Sequence, residues 1–257
     1  MGRALVSAIQ INEQVQLTAA ITKPGDSLIG SKVEVLSTVS MNSNVLITDD
    51  LVEVLDQFDV LIDFTRPHLT LQNLKICQQA NKALVIGTTG FTAEEKHELE
   101  QISQSMPVVF SANYSVGVNL CLQLMHLAAR VIGEEADIEI IEGHHKHKVD
   151  APSGTALHMG KVIANSLGQS LDDVAVYDRS KEKGARKPNS IGFATVRAGS
   201  IVGDHTAVFA LENEIIEIKH KASSRMTFAD GAVRAAQWIY SKPSGLYSMQ
   251  DVLDLNR

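Results

Sequence analysis

Cysteine is scarce: Cys77 and Cys121 are the only two in 257 residues. They fall far apart in segments that read as helical, so no disulfide framework is expected and both are read as buried, reduced thiols. Neither lies at a strand end, which argues against a dehydrogenase of the aspartate-semialdehyde type, whose chemistry needs a cysteine nucleophile. Long hydrophobic runs are also missing. Nothing approaches the roughly 18 to 20 apolar residues of a membrane helix, and no basic-then-apolar segment of the signal-peptide kind opens the chain. A cytoplasmic location is therefore expected. Positive charge is in deficit, with 23 Lys and Arg against 30 Asp and Glu and a net charge of −7. That excludes general nucleic-acid binding, which requires a basic surface. Neither HExxH nor zinc-type Cys/His spacing occurs, so no metal is expected. No internal repeat or low-complexity segment stands out.

What is present is an ordinary globular composition, 44% hydrophobic and 21% charged, in a chain long enough to bury a core. Met1, Ala4, Leu5, Ala8 and Ile9 recur at helical spacing, and "VQLTAAI" (15–21) reads as a short strand. The runs "DVLIDF" (59–64) and "KALVIG" (82–87) fit strands buried on both faces of a parallel sheet. "PVVFSA" (107–112) supplies another strand. Helical patterns separate these strands, one of them opened by a Thr92/Glu95 capping box. Such alternation predicts a Rossmann-like nucleotide-binding domain of α/β class. The second half differs. Helices are expected over 117–132 and 154–167, with a strand at "DIEIIEG" (137–143) and a solvated, mobile loop at "RSKEKGARKPNS". Three β-rich runs, "FATVRAG", "HTAVFAL" and "EIIEIKHKA", suggest an antiparallel meander, and a helix closes over 228–240. The fold expected is therefore a Rossmann-like domain over 1–114, completed by 225–257. An α+β substrate-binding and oligomerisation domain with a mixed or antiparallel sheet covers 115–224.

The ends of parallel strands are where open α/β sheets bind ligands. Arg66 in "DFTRP", Gly87, Thr88 and Thr89 in "GTTGF", and Ser111, Ala112, Asn113 and Tyr114 in "SANYS" all follow buried runs. The glycine allows close backbone approach, the threonines offer hydroxyls and amides, and the arginine suits a phosphate or a ring. Ordinary turn chemistry is the competing reading of each. In "GHHKHKVDAPSGTA" (143–156), His144, His145 and Lys148 follow an apolar strand. Ser153 is read as an N-cap, because Ala156, Gly160, Ile163 and Leu167 continue at spacings of four, three and four. Gly154 and Thr155 would then present backbone amides at the positive end of a helix dipole. Cations beside a helix N-terminus suit a substrate with more than one carboxylate, and histidine or lysine supplies an acid or base. A merely solvated basic loop is the plainer alternative, and the adjacent lysines would repel a metal ion.

These residues carry a family likeness. "EGHHKHKVDAPSGTA", "DVLIDFTRP", "VIGTTGF", "SANYSVGVN", "IGFATVRAGSIVGDHT", "HKASSRMTFADGAVRAA" and "DVLDL" resemble, in order, the blocks of the bacterial dihydrodipicolinate reductases, and the likeness runs over essentially the whole chain. It implies NADH- or NADPH-dependent reduction of 4-hydroxy-tetrahydrodipicolinate, a cyclic dicarboxylate of lysine and diaminopimelate biosynthesis, in a cytoplasmic homotetramer. By that resemblance His144 is the acid/base histidine and Lys148 the proton donor. His145, Gly154 and Thr155 contact substrate carboxylates. Arg66, Gly87, Thr88, Thr89 and Ser111 to Tyr114 line the cofactor crevice. The family opens with a strand and a glycine-rich turn, whereas this sequence starts at "MGRALV", so most of that loop is expected to lie outside it. A second reading, a cofactor-impaired relative keeping the substrate domain and oligomer contacts, rests on that difference. Lys23 follows the strand at 15–21, where dinucleotide sites often carry an acid for the ribose. A lysine there leans the expected cofactor towards NADPH.

Overall fold

Apolar periodicity accounts for most elements of the computed structural model, which describes residues 1–37 and 43–256. The chain opens with α1 (Gly2–Gln10), which buries Leu5, Val6 and Ala8. Of the strand expected over 15–21, only β1 (Ala20–Ile21) forms, pairing in parallel with β2 (Ile47–Thr48). Residues 15–19 have no ladder partner among the described residues, and extended chain without one is not a strand. Then β3 (Val60–Asp63), α2 (Pro67–Gln79), β4 (Ala83–Ile86), α3 (Ala93–Ser103) and β5 (Pro107–Phe110) follow in order. All four residues of β4 are buried, as its unbroken apolar run requires of a central parallel strand. The Thr92 side chain accepts from the Glu95 amide and Glu95 answers at the Thr92 amide, so the capping box starts α3.

Beyond β5 the chain builds α4 (Val116–Ile132), β6 (Asp137–His144), α5 (Gly154–Ser166), α6 (Leu171–Val174) and β7 (Ala175–Val176). It continues through β8 (Ile191–Arg197), β9 (Gly203–Ala210) and β10 (Ile215–Ala222), and ends with α7 (Met226–Ile239), β11 (Gly245–Tyr247) and α8 (Met249–Val252). Two compact units result, Met1–Val116 with Arg225–Arg257, and Gly117–Ser224.

In the first unit the main sheet runs β11-β5-β4-β3, all parallel. Val85 and Val109 pack with Ala229, Val233 and Ile239 of α7 on one side, while Leu84 and Ile86 pack with Leu74, Leu99 and Met106 on the other. Gly231 allows α7 this close, because a Cβ there would stand 1.8 Å from the Tyr114 carbonyl oxygen.

The second unit holds a mixed sheet in the order β10-β9-β6-β8-β7. The expected meander does not form. Strand β6 lies between β8 and β9, parallel to the first and antiparallel to the second, and only β9 and β10 make a hairpin. The reason is burial: Ile138 and Ile140 are 2% and 0% exposed, and a strand so covered needs partners on both edges. One face carries Ile138, Ile140 and Phe209 against Met125, Met159 and Ile163 of α4 and α5. The polar loop after β7 is tied down rather than free, again contrary to expectation. Arg186 donates to Asp137 at 2.8 Å and to the Ile138 carbonyl at 2.9 Å, and both it and Arg179 pair with Glu139. Both cysteines are free and buried, and burial pushes the Cys77 thiol up to about 12.

Candidate active site

Strand alternation sends Glu142 and His144 of β6 to the same side of the sheet. Both are buried, Glu142 at 1% exposure and His144 at 8%. The Glu142 carboxylate accepts from His144 Nδ1 at 2.6 Å, from the Ser153 amide at 3.1 Å and from the Thr195 hydroxyl at 3.3 Å. Arg197 adds two bonds, each at 2.8 Å, to opposite oxygens. Burial alone would raise this carboxyl. The hydrogen bonds from Arg197, His144 and the Ser153 amide outweigh it and hold the group below its ordinary range, as expected for a carboxylate with charged and amide donors. On its far side the His144 ring faces Gly203, where a Cβ would come within 3.2 Å of Nε2.

The loop between β6 and α5 presents the other candidates. Lys148 Nζ pairs with Asp150 at 2.8 Å, and the Lys148 hydrogen bond is the main reason that the Asp150 carboxyl sits below its usual range. Arg197 also donates to the Asp150 carbonyl at 2.6 Å, so one guanidinium joins the histidine strand to the lysine loop. Ser153 caps α5 by accepting from the Ala156 amide at 3.2 Å. Gly154 has open space around its Cα, with nothing within 4 Å of a built Cβ, and Thr155 follows it in the first turn. His145 lies in the same loop, its Nδ1 buried and without a hydrogen-bond partner. Glu142, bonded to both His144 and the Ser153 amide, and Arg197, bonded to both Glu142 and the Asp150 carbonyl, thus tie His144 and the lysine loop to the start of α5, where amides and cations favour carboxylates.

Three members of this cluster escaped the sequence reading: Glu142, Arg197 and His205. A glutamate two residues before His144 shares its strand face, and that spacing was an available signal. Thr195 and His205 oppose Glu142 on β8 and β9, and His220 opposes His205 on β10. That polar row exists only in the register. His205 Nε2 lies 3.0 Å from the Ser153 hydroxyl, and desolvation pulls its pKa down to about 4, with repulsion from His144 adding to it.

In the first unit, register aligns Asp63, Ile86 and Phe110, so the loops after β3, β4 and β5 leave one sheet edge, as a dinucleotide crevice requires. Arg66, Thr89 and Ala112 are exposed there. Gly90 adopts φ +89° with open space beside it, so backbone amides at this turn are approachable, which fits a nucleotide. Ser111 donates to the Asn113 carbonyl at 2.9 Å, and the Asn113 side chain accepts from the Ser115 amide at 2.9 Å. Three of the expected cofactor residues also serve packing within the unit. Gly87 makes room for a neighbouring side chain, since a Cβ would strike the Phe64 ring at 2.1 Å. The Thr88 hydroxyl is turned inward, accepting from Thr70 at 2.9 Å and donating to Asp63 at 3.4 Å. Tyr114 is 1% exposed and donates to the Ile86 carbonyl at 2.7 Å, so its ring is structural. Lys23 is exposed in a turn closed by the Asp26 amide on the Lys23 carbonyl at 3.2 Å. A groove of about 870 Å³ beside β1 and β2 is lined by Gln16, Thr18, Thr48, Val54 and Gln57, and by none of the candidate residues. Among the described residues no group of three His, Cys, Asp or Glu is placed to hold a metal ion, and no helix is long and apolar enough to cross a membrane.

Comparison with known proteins matches residues 1–114 to the family model for the N-terminus of dihydrodipicolinate reductase and 117–253 to that for its C-terminus. A 4-hydroxy-tetrahydrodipicolinate reductase from Pseudomonas fluorescens is 57% identical over 256 residues, covering 99% of this chain and 95% of that protein. Among solved structures, a dipicolinate-bound dihydrodipicolinate reductase from a Paenisporosarcina species superposes with a TM-score of 0.76 at 24% identity, over 97% of this chain and 94% of that one. An amine dehydrogenase from Mycobacterium smegmatis shares the fold with a TM-score of 0.66 at 13% identity, over 96% and 92% of the two chains.

Proposed function

The chain belongs to the dihydrodipicolinate reductase family, and on that footing we propose how its own residues divide the work. It is a nicotinamide-nucleotide-dependent oxidoreductase that converts 4-hydroxy-tetrahydrodipicolinate to tetrahydrodipicolinate in lysine and diaminopimelate biosynthesis. The observation that carries the assignment of roles is the buried His144–Glu142 pair, at 2.6 Å, next to Lys148 and the start of α5. The two substrate carboxylates bind the Gly154 and Thr155 amides, the Thr155 hydroxyl and His145. Their affinity comes from the helix dipole and fixed cations, which act equally on ground and transition states. A bound nicotinamide supplies the hydride. Substrate and product differ by reduction with loss of the 4-hydroxyl as water, so hydride arriving at one ring carbon must be matched by a proton at its neighbour. Lys148 delivers that proton and His144 acts as acid/base partner. The surrounding cations lower the energy of the negative charge that develops between the two events.

The dinucleotide would be held by the exposed strand-end loops, through Arg66, the amides of Thr89 and Gly90, and Ser111 to Asn113. NADPH is the preferred form, with Lys23 meeting the 2′-phosphate. The protein works in the cytoplasm as a homotetramer. The support for assembly is that Ile141, Val196 and Ile215 share one face of the second unit's sheet by register and are 42%, 46% and 64% exposed, an apolar area that association would cover.

Substrate-dependent oxidation of NADPH by the purified chain tests the reading. His144→Ala and Lys148→Ala each lower turnover by about 100-fold or more, the usual scale of a general acid. Thr155→Ala mainly raises KM, because its contact is uniform binding. Near-normal turnover in both of the first two variants removes those roles.

A further inference from the structure

Glu142 is nearly sealed from solvent, yet charged and polar groups from three parts of the second unit converge on it. Arg197 and Thr195 reach it from β8, His144 from β6, and the Ser153 amide from the start of α5. A carboxylate engaged by both arms of a guanidinium is ionised and can only accept hydrogen bonds. At 2.6 Å from it, His144 Nδ1 must therefore be the nitrogen that carries hydrogen. The other nitrogen, Nε2, is left as the atom able to exchange a proton. It faces Gly203, where a Cβ would stand only 3.2 Å away, so that side of the ring is free of a side chain. The neighbouring imidazole of His205 stays uncharged at neutral pH and adds no competing cation beside the pair.

We propose that Glu142 is the positioning residue for acid–base chemistry at His144, fixing the Nδ1–H tautomer and the ring orientation that present Nε2 to the substrate. Arg197 keeps the carboxylate ionised and in place. By a further bond, to the Asp150 carbonyl at 2.6 Å, Arg197 also sets the lysine loop relative to the histidine. The proposal rests on His144 exchanging a proton with substrate, and it adds the residue that makes one nitrogen of that ring the reactive one. A triad aspartate acts on its histidine in the same way, through tautomer and orientation rather than by taking the proton.

The experiment is ¹⁵N NMR of the full chain with labelled histidine, the His144 signals being assigned from their loss in His144→Gln. In the wild type, neutral His144 is expected to show a protonated, pyrrole-type Nδ1 and a bare, pyridine-type Nε2. In Glu142→Gln the ring shifts towards the Nε2–H form or a mixture of both. The same variant lowers kcat by at least about tenfold with KM changed less than about twofold, whereas a merely structural glutamate would alter both together or only stability. A wild-type His144 carrying hydrogen on Nε2 overturns the proposal, and so does an unchanged tautomer and kcat in Glu142→Gln. If that variant does not fold, the wild-type spectrum alone decides. Failure of the underlying role is separate: His144→Ala would then turn over normally while the wild-type spectrum still showed hydrogen on Nδ1.

Discussion

The imidazoles of His144 and His205 stand edge to face, with ring centroids 5.0 Å apart and planes at 74°. One ring is bonded to a carboxylate and the other to a hydroxyl, so two chemically identical side chains in contact have different polar partners. That difference comes from register. Glu142 and His205 are opposed on β6 and β9, yet of the two rings the carboxylate is hydrogen-bonded to His144.

A pH dependence of stability follows from His205. Burial lowers its folded-state pKa to about 4 against an ordinary 6.5. Between those values the unfolded chain binds a proton that the folded chain refuses, so stability rises with pH. The contribution is complete above about 6.5 and is lost as pH falls to about 4, by on the order of 3 kcal/mol at most. His158 and His220 are lowered too and leave a residual slope. Urea midpoints at pH 7 and pH 5 should converge in His205→Gln relative to the wild type. An unaltered slope would assign the effect to other groups.

Asp150 competes with the substrate. Its carboxylate occupies Lys148 at 2.8 Å and stands just before the α5 N-terminus, the place assigned to a substrate carboxylate. If the proposed substrate site holds, Asp150→Asn should therefore tighten binding of a cyclic dicarboxylate such as dipicolinate by about two- to fivefold, the scale of an exposed ion pair. The gain should shrink as salt is added. Weaker dicarboxylate binding in this variant would mean that Asp150 positions Lys148 rather than masking it.

How legible was this in the sequence? The parallel strands were readable because runs such as "ALVI" are buried on both faces, and the start of α5 was readable because Ser153 precedes a clear apolar period. The polar row of Thr195, Glu142, His205 and His220 was not, since its members are joined only by strand pairing across as many as 78 positions (142 to 220). For the same reason the meander was misjudged: short polar turns look alike whether the strands they join pair or flank a third. Gly87, Thr88 and Tyr114 share another ambiguity. A small or polar residue at a strand end serves a ligand or the protein's own packing, and only the neighbour across space, such as Phe64 or Asp63, decides which.

Cofactor choice can be tested at Lys23, which is exposed beside the turn after β1. If its ammonium meets the 2′-phosphate, Lys23→Ala should lower kcat/KM for NADPH by about three- to tenfold and leave NADH unchanged. Equal effects on both nucleotides, or none, would make Lys23 a solvated turn residue.

The last prediction concerns Asp63, the buried anchor of the strand-end loops. At 2% exposure it accepts from the Thr65 amide at 2.8 Å, the Thr65 hydroxyl at 2.6 Å and Asn73 at 2.9 Å, and Thr88 donates to it more distantly at 3.4 Å. One carboxylate thus ties the loop after β3 to the loop after β4, the two that carry Arg66 and Thr89. Asp63→Ala would strand several donors away from water, which costs roughly 2 to 4 kcal/mol in all. It would also release both loops, so dinucleotide affinity should fall in fluorescence titrations while binding of a dicarboxylate at the proposed site in the other unit changes little. Asp63→Asn retains one acceptor oxygen and should be milder in both respects. Nucleotide affinity that survives Asp63→Ala in a destabilised but folded chain would separate these loops from the cofactor site.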